Sequence, residues 1–140
     1  MTIKEIQDEI IEEFDMFDDW MQKYDYLIEL SKDLPLLDEK HKLDENIIKG
    51  CQSKVWLHAK KEGEHVRFMA DSDAIITKGI VALLVRVLDG QKCQDIIDNE
   101  LHFIDAIGLR EHLSMTRSNG LVSMIKQIKL YAIAFQTQLN

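Results

Sequence analysis

The stretch Val55-Trp56-Leu57-His58-Ala59-Lys60-Lys61-Glu62-Gly63-Glu64-His65-Val66-Arg67-Phe68-Met69-Ala70 decides the fold class of this chain. Small or apolar side chains occupy every second position over residues 55–59 before Glu62-Gly63 and over residues 66–70 after it, which is typical of two half-buried strands. If Glu62-Gly63 forms the turn of an antiparallel hairpin, the apolar residues of the two strands face one another. The expected cross-strand pairs are Val55 with Ala70, Leu57 with Phe68, and Ala59 with Val66.

Helical patterns precede this hairpin. Thr2 and Glu5 form a capping-box pattern, and apolar residues then recur at helical spacing over residues 3–14 and 17–34. Residues 36–46 are polar and without periodicity, so we expect a connecting loop. Ile47-Ile48-Lys49 is a candidate for a short third strand.

Further helical patterns follow the hairpin. Residues 74–88 are apolar on nearly every side, which predicts a buried central helix, and Asp71-Ser72-Asp73 offers candidate N-caps for it. Gly79 would allow another element to approach closely. Short helices are expected over residues 91–113, and a turn at 114–120 is expected to lead into a last helix. This order predicts an α+β fold, with a small antiparallel sheet of about three strands flanked by helices, and a single domain over residues 1–140.

The charge is unevenly distributed. Residues 1–45 hold 15 acidic and 5 basic side chains, and residues 46–140 hold 10 acidic and 12 basic ones. A solvated helical face explains the acidic part better than a docking surface for a basic partner. The net charge of −8 argues against broad contact with nucleic acid or an anionic membrane. With no apparent secretory signal and no apolar run near the ~20 residues that span a bilayer, we expect a cytoplasmic location.

The two cysteines, Cys51 and Cys93, are too few for a disulfide scaffold, and neither belongs to a CxxC pair. Cys51 lies between Gly50 and two small polar residues just before the hairpin, and flanking Lys49 and Lys54 would favour its thiolate. From these features alone, a reactive thiol and a small buried core residue are equally good interpretations. Cys93 lacks the glycine turn and is interpreted as structural.

The segment Gly50-Cys51-Gln52-Ser53-Lys54-Val55-Trp56 resembles the GCQSxVW signature of the SufE family of sulfur acceptors. Asp71-Ser72-Asp73-Ala74 with Lys78-Gly79, and Arg117-Ser118-Asn119-Gly120-Leu121, are similar to further motifs of that family. The paired N-terminal helices with an aromatic residue like Trp20, then Lys23-Tyr24 and Leu34-Pro35, also fit. The resemblance therefore covers nearly the whole chain in the same order.

The resemblance implies a SufE/NifU-like α+β fold and a function in iron–sulfur cluster assembly. Cys51 would take sulfur, as a persulfide, from a pyridoxal-phosphate cysteine desulfurase of the SufS or CsdA type, stimulate that enzyme, and pass the sulfur to a SufBCD-like scaffold. Arg117 would stabilise the thiolate or contact the partner. Asp73 would anchor the resting cysteine loop. Such a protein carries sulfur as an accessory protein without a cofactor or metal of its own, and is not an independent enzyme.

Several alternatives stay open at this point. SufE-type and CsdE-type proteins share these motifs, so the desulfurase is not decided, and neither is monomer against homodimer. A stand-alone thiol enzyme would need a general base near Cys51, and no cysteine–histidine signature is evident. A cluster scaffold would need about three or four cysteine or histidine ligands. His58 and His65 could approach each other on the hairpin, but surface histidines are the better interpretation, and His41 is expected to be a solvated loop residue.

Overall fold

Two helices, a β-hairpin and four further helices follow one another along the chain, in a computed structural model that describes residues 1–35 and 37–139. Short 3-10 turns cover Glu39–His41, Asp44–Asn46 and Arg110–His112. The predicted α+β class is confirmed. The elements are α1 (Ile3–Asp15), α2 (Trp20–Ser31), β1 (Val55–Glu62), β2 (His65–Ser72), α3 (Ile75–Leu88), α4 (Cys93–Asp98), α5 (Phe103–Ala106) and α6 (Met115–Leu139).

The hairpin has the predicted faces but not the predicted register. Val55 pairs with Ser72, Leu57 with Ala70 and Ala59 with Phe68, which is a shift of two residues. The loop is therefore Gly63-Glu64, and Gly63 has a φ of 61°. Glycine at the first position of a two-residue loop suits a turn that needs a positive φ there. Because side chains alternate with a period of two, this shift leaves the same residues on the buried face.

The sheet has two strands within the described residues, not about three. Ile47 forms a single bridge with Trp56, and the Ile48 N–H donates to the Val55 carbonyl at 2.9 Å. Gly50 follows almost at once, with a φ of 94°, so pairing beside β1 ends before a strand can form. The expected loop over residues 36–46 also differs, because it contains two 3-10 turns; its residue 36 lies outside the described residues.

Helix α3 lies at the centre of the core, as its apolar sequence predicted, and it packs on α2 and β2. A methyl group on Gly79 would lie 2.4 Å from the Leu27 carbonyl oxygen, so the close approach expected at this glycine is present. The predicted N-caps are wrong. The N-cap residue is Ala74, without a side-chain cap, because β2 continues through Ser72 and Asp73 turns toward Lys54.

The last helix begins earlier than the sequence indicated. We expected a turn at residues 114–120, but α6 already starts at Met115. Ser114 Oγ accepts a hydrogen bond from the Arg117 N–H at 3.2 Å, as an N-capping side chain does. In α1 the capping box of Thr2 and Glu5 is present as predicted. Throughout the part of the chain that is described, no helix combines the length and the apolarity needed to cross a bilayer.

Candidate functional site

Cys51 lies in a short loop that is held at both ends. This cysteine loop, residues 49–54, connects the Ile47–Trp56 bridge to the start of β1. At its first end the Ile48 N–H donates to the Val55 carbonyl at 2.9 Å. The residues before and after Cys51 are thus both hydrogen-bonded to β1 or belong to it, so the two ends of the loop have fixed positions.

The second end of the cysteine loop is attached to the segment that follows β2. Asp73 Oδ1 accepts a hydrogen bond from the Lys54 N–H at 3.0 Å, and the Asp73 N–H donates to the Lys54 carbonyl at 3.2 Å. Ser72 Oγ donates to the same carbonyl at 2.9 Å. Asp73 therefore contacts the base of the loop and does not cap α3.

Glycine residues let the cysteine loop lie close against α6. Gly50 has a φ of 94°, and a methyl group on it would lie 2.6 Å from Ser123 Oγ. A methyl group on Gly120 would lie 3.2 Å from Cys51 Sγ. Larger residues at either position would force the loop or the helix to move.

The Cys51 thiol is half-buried against the start of α6. Its Sγ donates a long, weak hydrogen bond to the Gly120 carbonyl at 3.6 Å. Burial raises the pKa of the Cys51 thiol. We expected Lys49 and Lys54 to favour the thiolate, but both are exposed and neither acts on this pKa. In the isolated protein the neutral thiol is therefore favoured.

A small cavity of about 30 Å³ adjoins the thiol. A water molecule needs about 10–15 Å³ of such space, so the cavity holds about two atoms of that size. Sites for small-molecule substrates are usually about 300–1,000 Å³, so this cavity is far too small for one. The residues that line it are Cys51, Gln52, Ser53, Thr77, Thr116, Arg117, Gly120 and Met124.

The structure brings two of the three predicted site residues together. Cys51 and Arg117 line the same cavity, although 66 positions separate them in the sequence. Asp73 contacts the loop at Lys54 instead. Sequence reasoning gave no role to Gly120, whose carbonyl accepts from the thiol. Its place in the motif that also contains Arg117 was the available signal.

The histidines and the second cysteine lie elsewhere. His41, expected to be solvated, stacks on His58 with ring centroids 3.9 Å apart. His65 instead pairs with Glu62 at the hairpin turn. Cys93 is only 1% exposed and belongs to the core. Among the described residues, no group of three or more histidine, cysteine or acidic side chains is arranged to hold a metal.

A larger groove of about 450 Å³ is lined by Lys49 at the start of the cysteine loop. It runs between the segment that precedes Cys51 and the outer face of α6. Its lining residues include Glu45, Ile47, Lys49, Ser123, Lys126, Leu130 and Tyr131. Since Ser123 also touches the Gly50 position, the groove adjoins the cysteine loop directly.

These features define a small α+β protein with one half-buried thiol on a loop that is hydrogen-bonded to the fold at both ends. Residues 8–132 match the family model described as "SufE: Fe-S metabolism associated domain". The chain belongs to the SufE family, and its function therefore lies in iron–sulfur metabolism.

Individual relatives agree with this assignment. An uncharacterised SufE-like protein of Rhizobium meliloti is 42% identical over 127 residues, which is 87% of this chain and 91% of that protein. A second one, from Rhizobium etli, is also 42% identical over 127 residues, 87% of this chain and 86% of its own length. The solution structure of a hypothetical protein from Thermus thermophilus superposes with a TM-score of 0.78 at 21% identity, over 94% of this chain and 96% of that one, and is alike in fold.

Proposed function

We propose that this chain is, as a single domain, a sulfur acceptor that carries one sulfur atom on Cys51 during iron–sulfur cluster assembly. The donor is a pyridoxal-phosphate cysteine desulfurase, which the acceptor stimulates by removing its sulfur. The recipient is a cluster scaffold. The observation that carries the proposal is the size of the cavity beside Cys51 Sγ, about 30 Å³, in a chain of the SufE family.

The transfer is a relative of thiol–disulfide exchange. The Cys51 thiolate attacks the terminal sulfur of the donor's cysteine persulfide. A bond forms between Cys51 Sγ and that sulfur, the donor's own sulfur–sulfur bond breaks, and the donor cysteine leaves as a thiolate. The proton of the Cys51 thiol passes to solvent, and no external oxidant or reductant is consumed.

The cavity favours a carrier over a stand-alone thiol enzyme. One added sulfur atom fits beside Cys51, and the 30 Å³ available there is well below the roughly 300–1,000 Å³ of a typical substrate pocket. An independent thiol enzyme also requires a base within hydrogen-bond reach of the thiol. Among the described residues that line the cavity there is no histidine and no carboxylate.

Arg117 has a position suited to stabilising an anionic sulfur. It lines the cavity with Cys51 and has no carboxylate within 4.0 Å among the described residues. Its guanidinium charge would favour a thiolate or persulfide anion as the loop moves. We expect Arg117→Ala to slow sulfur uptake and Arg117→Lys to restore part of the rate, since lysine keeps the charge but not the planar group.

Asp73 is proposed as the anchor of the resting loop. Removing its carboxylate would release the Lys54 N–H, at a cost of about 1 kcal/mol. Asp73→Asn keeps an acceptor oxygen and is the matched control. Asp73→Ala should therefore speed the alkylation of Cys51 by iodoacetamide, whereas Asp73→Asn should change the rate little. If Cys51 is alkylated at the same rate in both variants, Asp73 is not the anchor of the loop.

Intact-mass measurement tests the proposed function directly. The protein is incubated with a desulfurase, pyridoxal phosphate and cysteine, and its mass is taken without reductant. We expect a gain of one sulfur atom that persists in Cys93→Ser and disappears in Cys51→Ser. If no desulfurase from the same genome adds sulfur, while the protein alone turns over a thioester or disulfide, the carrier proposal is wrong.

A further inference from the structure

Basic side chains are separated from acidic ones along this chain. Segments 46–61 and 115–139, which supply the cysteine loop, α6 and all of β1 except its last residue, Glu62, together hold 7 basic side chains and no acidic one. The other residues hold 10 basic and 25 acidic side chains. The net charge of −8 thus consists of +7 in the two segments around Cys51 and −15 elsewhere.

Within the part of the chain that the structure describes, the basic side chains of these two segments also lack ion-pair partners. Outside the segments, nine of the ten lysines and arginines lie within 4.0 Å of a carboxylate. The tenth, Lys23, lies over the Trp20 ring. Within the described residues, none of the seven in the two segments has such a partner. Their charge is therefore not neutralised by the protein itself.

Four of the seven surround the site, and together they define the basic surface: Lys49, Lys54, Arg117 and Lys126. Lys49 and Lys54 are exposed at the two ends of the cysteine loop. Arg117 lines the thiol cavity, and Lys126 lines the groove of about 450 Å³ together with Lys49.

Among the described residues, one carboxylate lines this groove and one accepts a hydrogen bond from the cysteine loop, and both reduce the charge of the basic surface. Glu45 lines the same groove, and the exposed Asp73 accepts a hydrogen bond from the Lys54 backbone. The local balance is still positive, at four basic groups against two acidic ones. The groove also contains apolar contact area, since Leu130 is 48% exposed on its wall. An acidic segment with an apolar residue among its charges would complement both properties.

We propose that the basic surface docks the sulfur donor through an acidic, partly apolar segment of the donor, placed in the groove between residues 45–49 and α6. This inference rests on the proposed function. Charge complementarity of this kind accelerates the encounter of two proteins and orients them. The groove adjoins the cysteine loop through Ser123, so a segment bound there lies beside the thiol that is to receive the sulfur.

Charge reversal of the two groove lysines tests the inference. The double variant Lys49→Glu/Lys126→Glu replaces two attractions by two repulsions. Each exposed pair is worth up to about 1 kcal/mol, so we expect the KM of the desulfurase for this acceptor to rise about tenfold, with kcat little changed. Added salt should slow transfer to the wild-type protein at limiting acceptor, whereas the double variant, which repels the acidic segment, should lose or reverse that dependence.

The matched control is Lys4→Glu/Lys32→Glu, on α1 and just after α2. These lysines are exposed by 76% and 65% and carry the same charge. We expect this variant to keep the wild-type KM and salt dependence. Alkylation of Cys51 by the neutral reagent iodoacetamide, measured on every variant, reports separately whether the thiol has been disturbed.

The possible results separate the two proposals. If the desulfurase does not transfer sulfur to the wild-type protein, the proposed function fails. If it transfers sulfur to the wild type and to both double variants with the same KM and the same salt dependence, the docking surface is wrong and the proposed function stands. Binding of wild-type protein to an oligonucleotide or to anionic vesicles, together with salt-insensitive sulfur transfer, would overturn the assignment in favour of that ligand.

Discussion

Replacing Gly120 by alanine would press on the Cys51 thiol without removing any group that it contacts. The new methyl group would lie 3.2 Å from Sγ and 3.6 Å from Cα of Cys51. Ordinary van der Waals contact begins at 3.4 Å, so the sulfur must move by at least 0.2 Å. Backbone hydrogen bonds run along the whole of α6 but join the cysteine loop to the fold at Ile48 and Lys54, so we expect the loop and not the helix to move.

The size of the effect follows from the contact that is weakened. The Sγ hydrogen bond to the Gly120 carbonyl is 3.6 Å long, and weak hydrogen bonds of this kind contribute about 0.5–1 kcal/mol. Weakening it should raise the population with an exposed thiol roughly two- to fivefold. The rate of Cys51 alkylation by iodoacetamide at constant pH should rise by the same factor. The free energy of unfolding should change by less than about 1 kcal/mol, since alanine favours the helix.

The control for this prediction is Asn119→Ala. Asn119 is exposed and precedes Gly120 in α6, so the substitution also raises helix propensity but adds no atom beside the thiol. It should leave the alkylation rate unchanged. If Gly120→Ala alkylates at the wild-type rate with unchanged stability, the glycine does not limit the approach of the loop and the reasoning is refuted.

Three further results are expected. Gly79→Ala should lower the free energy of unfolding in urea by about 3 kcal/mol, because its methyl group would lie 2.4 Å from the Leu27 carbonyl oxygen; an unchanged midpoint would contradict this. The alkylation rate of Cys51 should keep rising with pH beyond 9.0, the ordinary pKa of a thiol, since burial raises the pKa of Cys51. A rate that levels off below pH 9.0 would contradict this. Arg86 holds the pKa of Glu13 below its usual 4.5, so their ion pair stabilises the fold above that pH and is lost as the pH falls through the lowered pKa. Glu13→Gln should therefore cost about 1–2 kcal/mol at neutral pH and much less in acid, and an equal cost at both would contradict it.

The alternation of apolar residues in the hairpin sequence predicted which side chains lie on the buried face of each strand, but it could not predict which residues of the two strands pair. Two registers that differ by two residues place the same side chains on the buried face, so burial does not distinguish them. The turn distinguishes them, because Gly63 at the first loop position accepts the positive φ that a two-residue turn requires there. Placing Glu62 in the turn would have left that conformation to a residue with a side chain.

Polar residues around α3 and α6 were misread for a common reason. Serine, threonine, asparagine and aspartate favour both turns and helix starts, so residues 114–120 suited either interpretation. Ser114 resolves the ambiguity by accepting from the Arg117 N–H, which starts α6 at once. Asp73 was available as an N-cap but contacts Lys54, a tertiary partner that local sequence does not reveal.

The site was only partly predictable for a similar reason. The motif Gly50-Cys51-Gln52-Ser53 distinguished Cys51 from Cys93, and the structure places the Cys51 thiol half-buried beside a small cavity and Cys93 in the core. The sequence predicted the wrong effect on the Cys51 pKa, because Lys49 and Lys54 are neighbours in sequence but are exposed and do not lower that pKa. Of the residues that line the cavity from outside the cysteine loop, all but Thr77 come from α6, and Gly120 lies 69 positions from Cys51.

The contacts that hold the Cys51 thiol in place do not themselves make it reactive. A thiol whose pKa is raised by burial is a slow nucleophile at neutral pH, so reactivity has to come from displacement of the loop or from a charge brought to it. Fixed points at Ile48 and Lys54 confine any displacement to the residues between them. An acidic donor segment beside Lys49 would act on the same short segment that shelters the thiol. Under the proposed function, docking and exposure of the Cys51 sulfur would then be a single event, and the sulfur would stay sheltered until the partner has arrived.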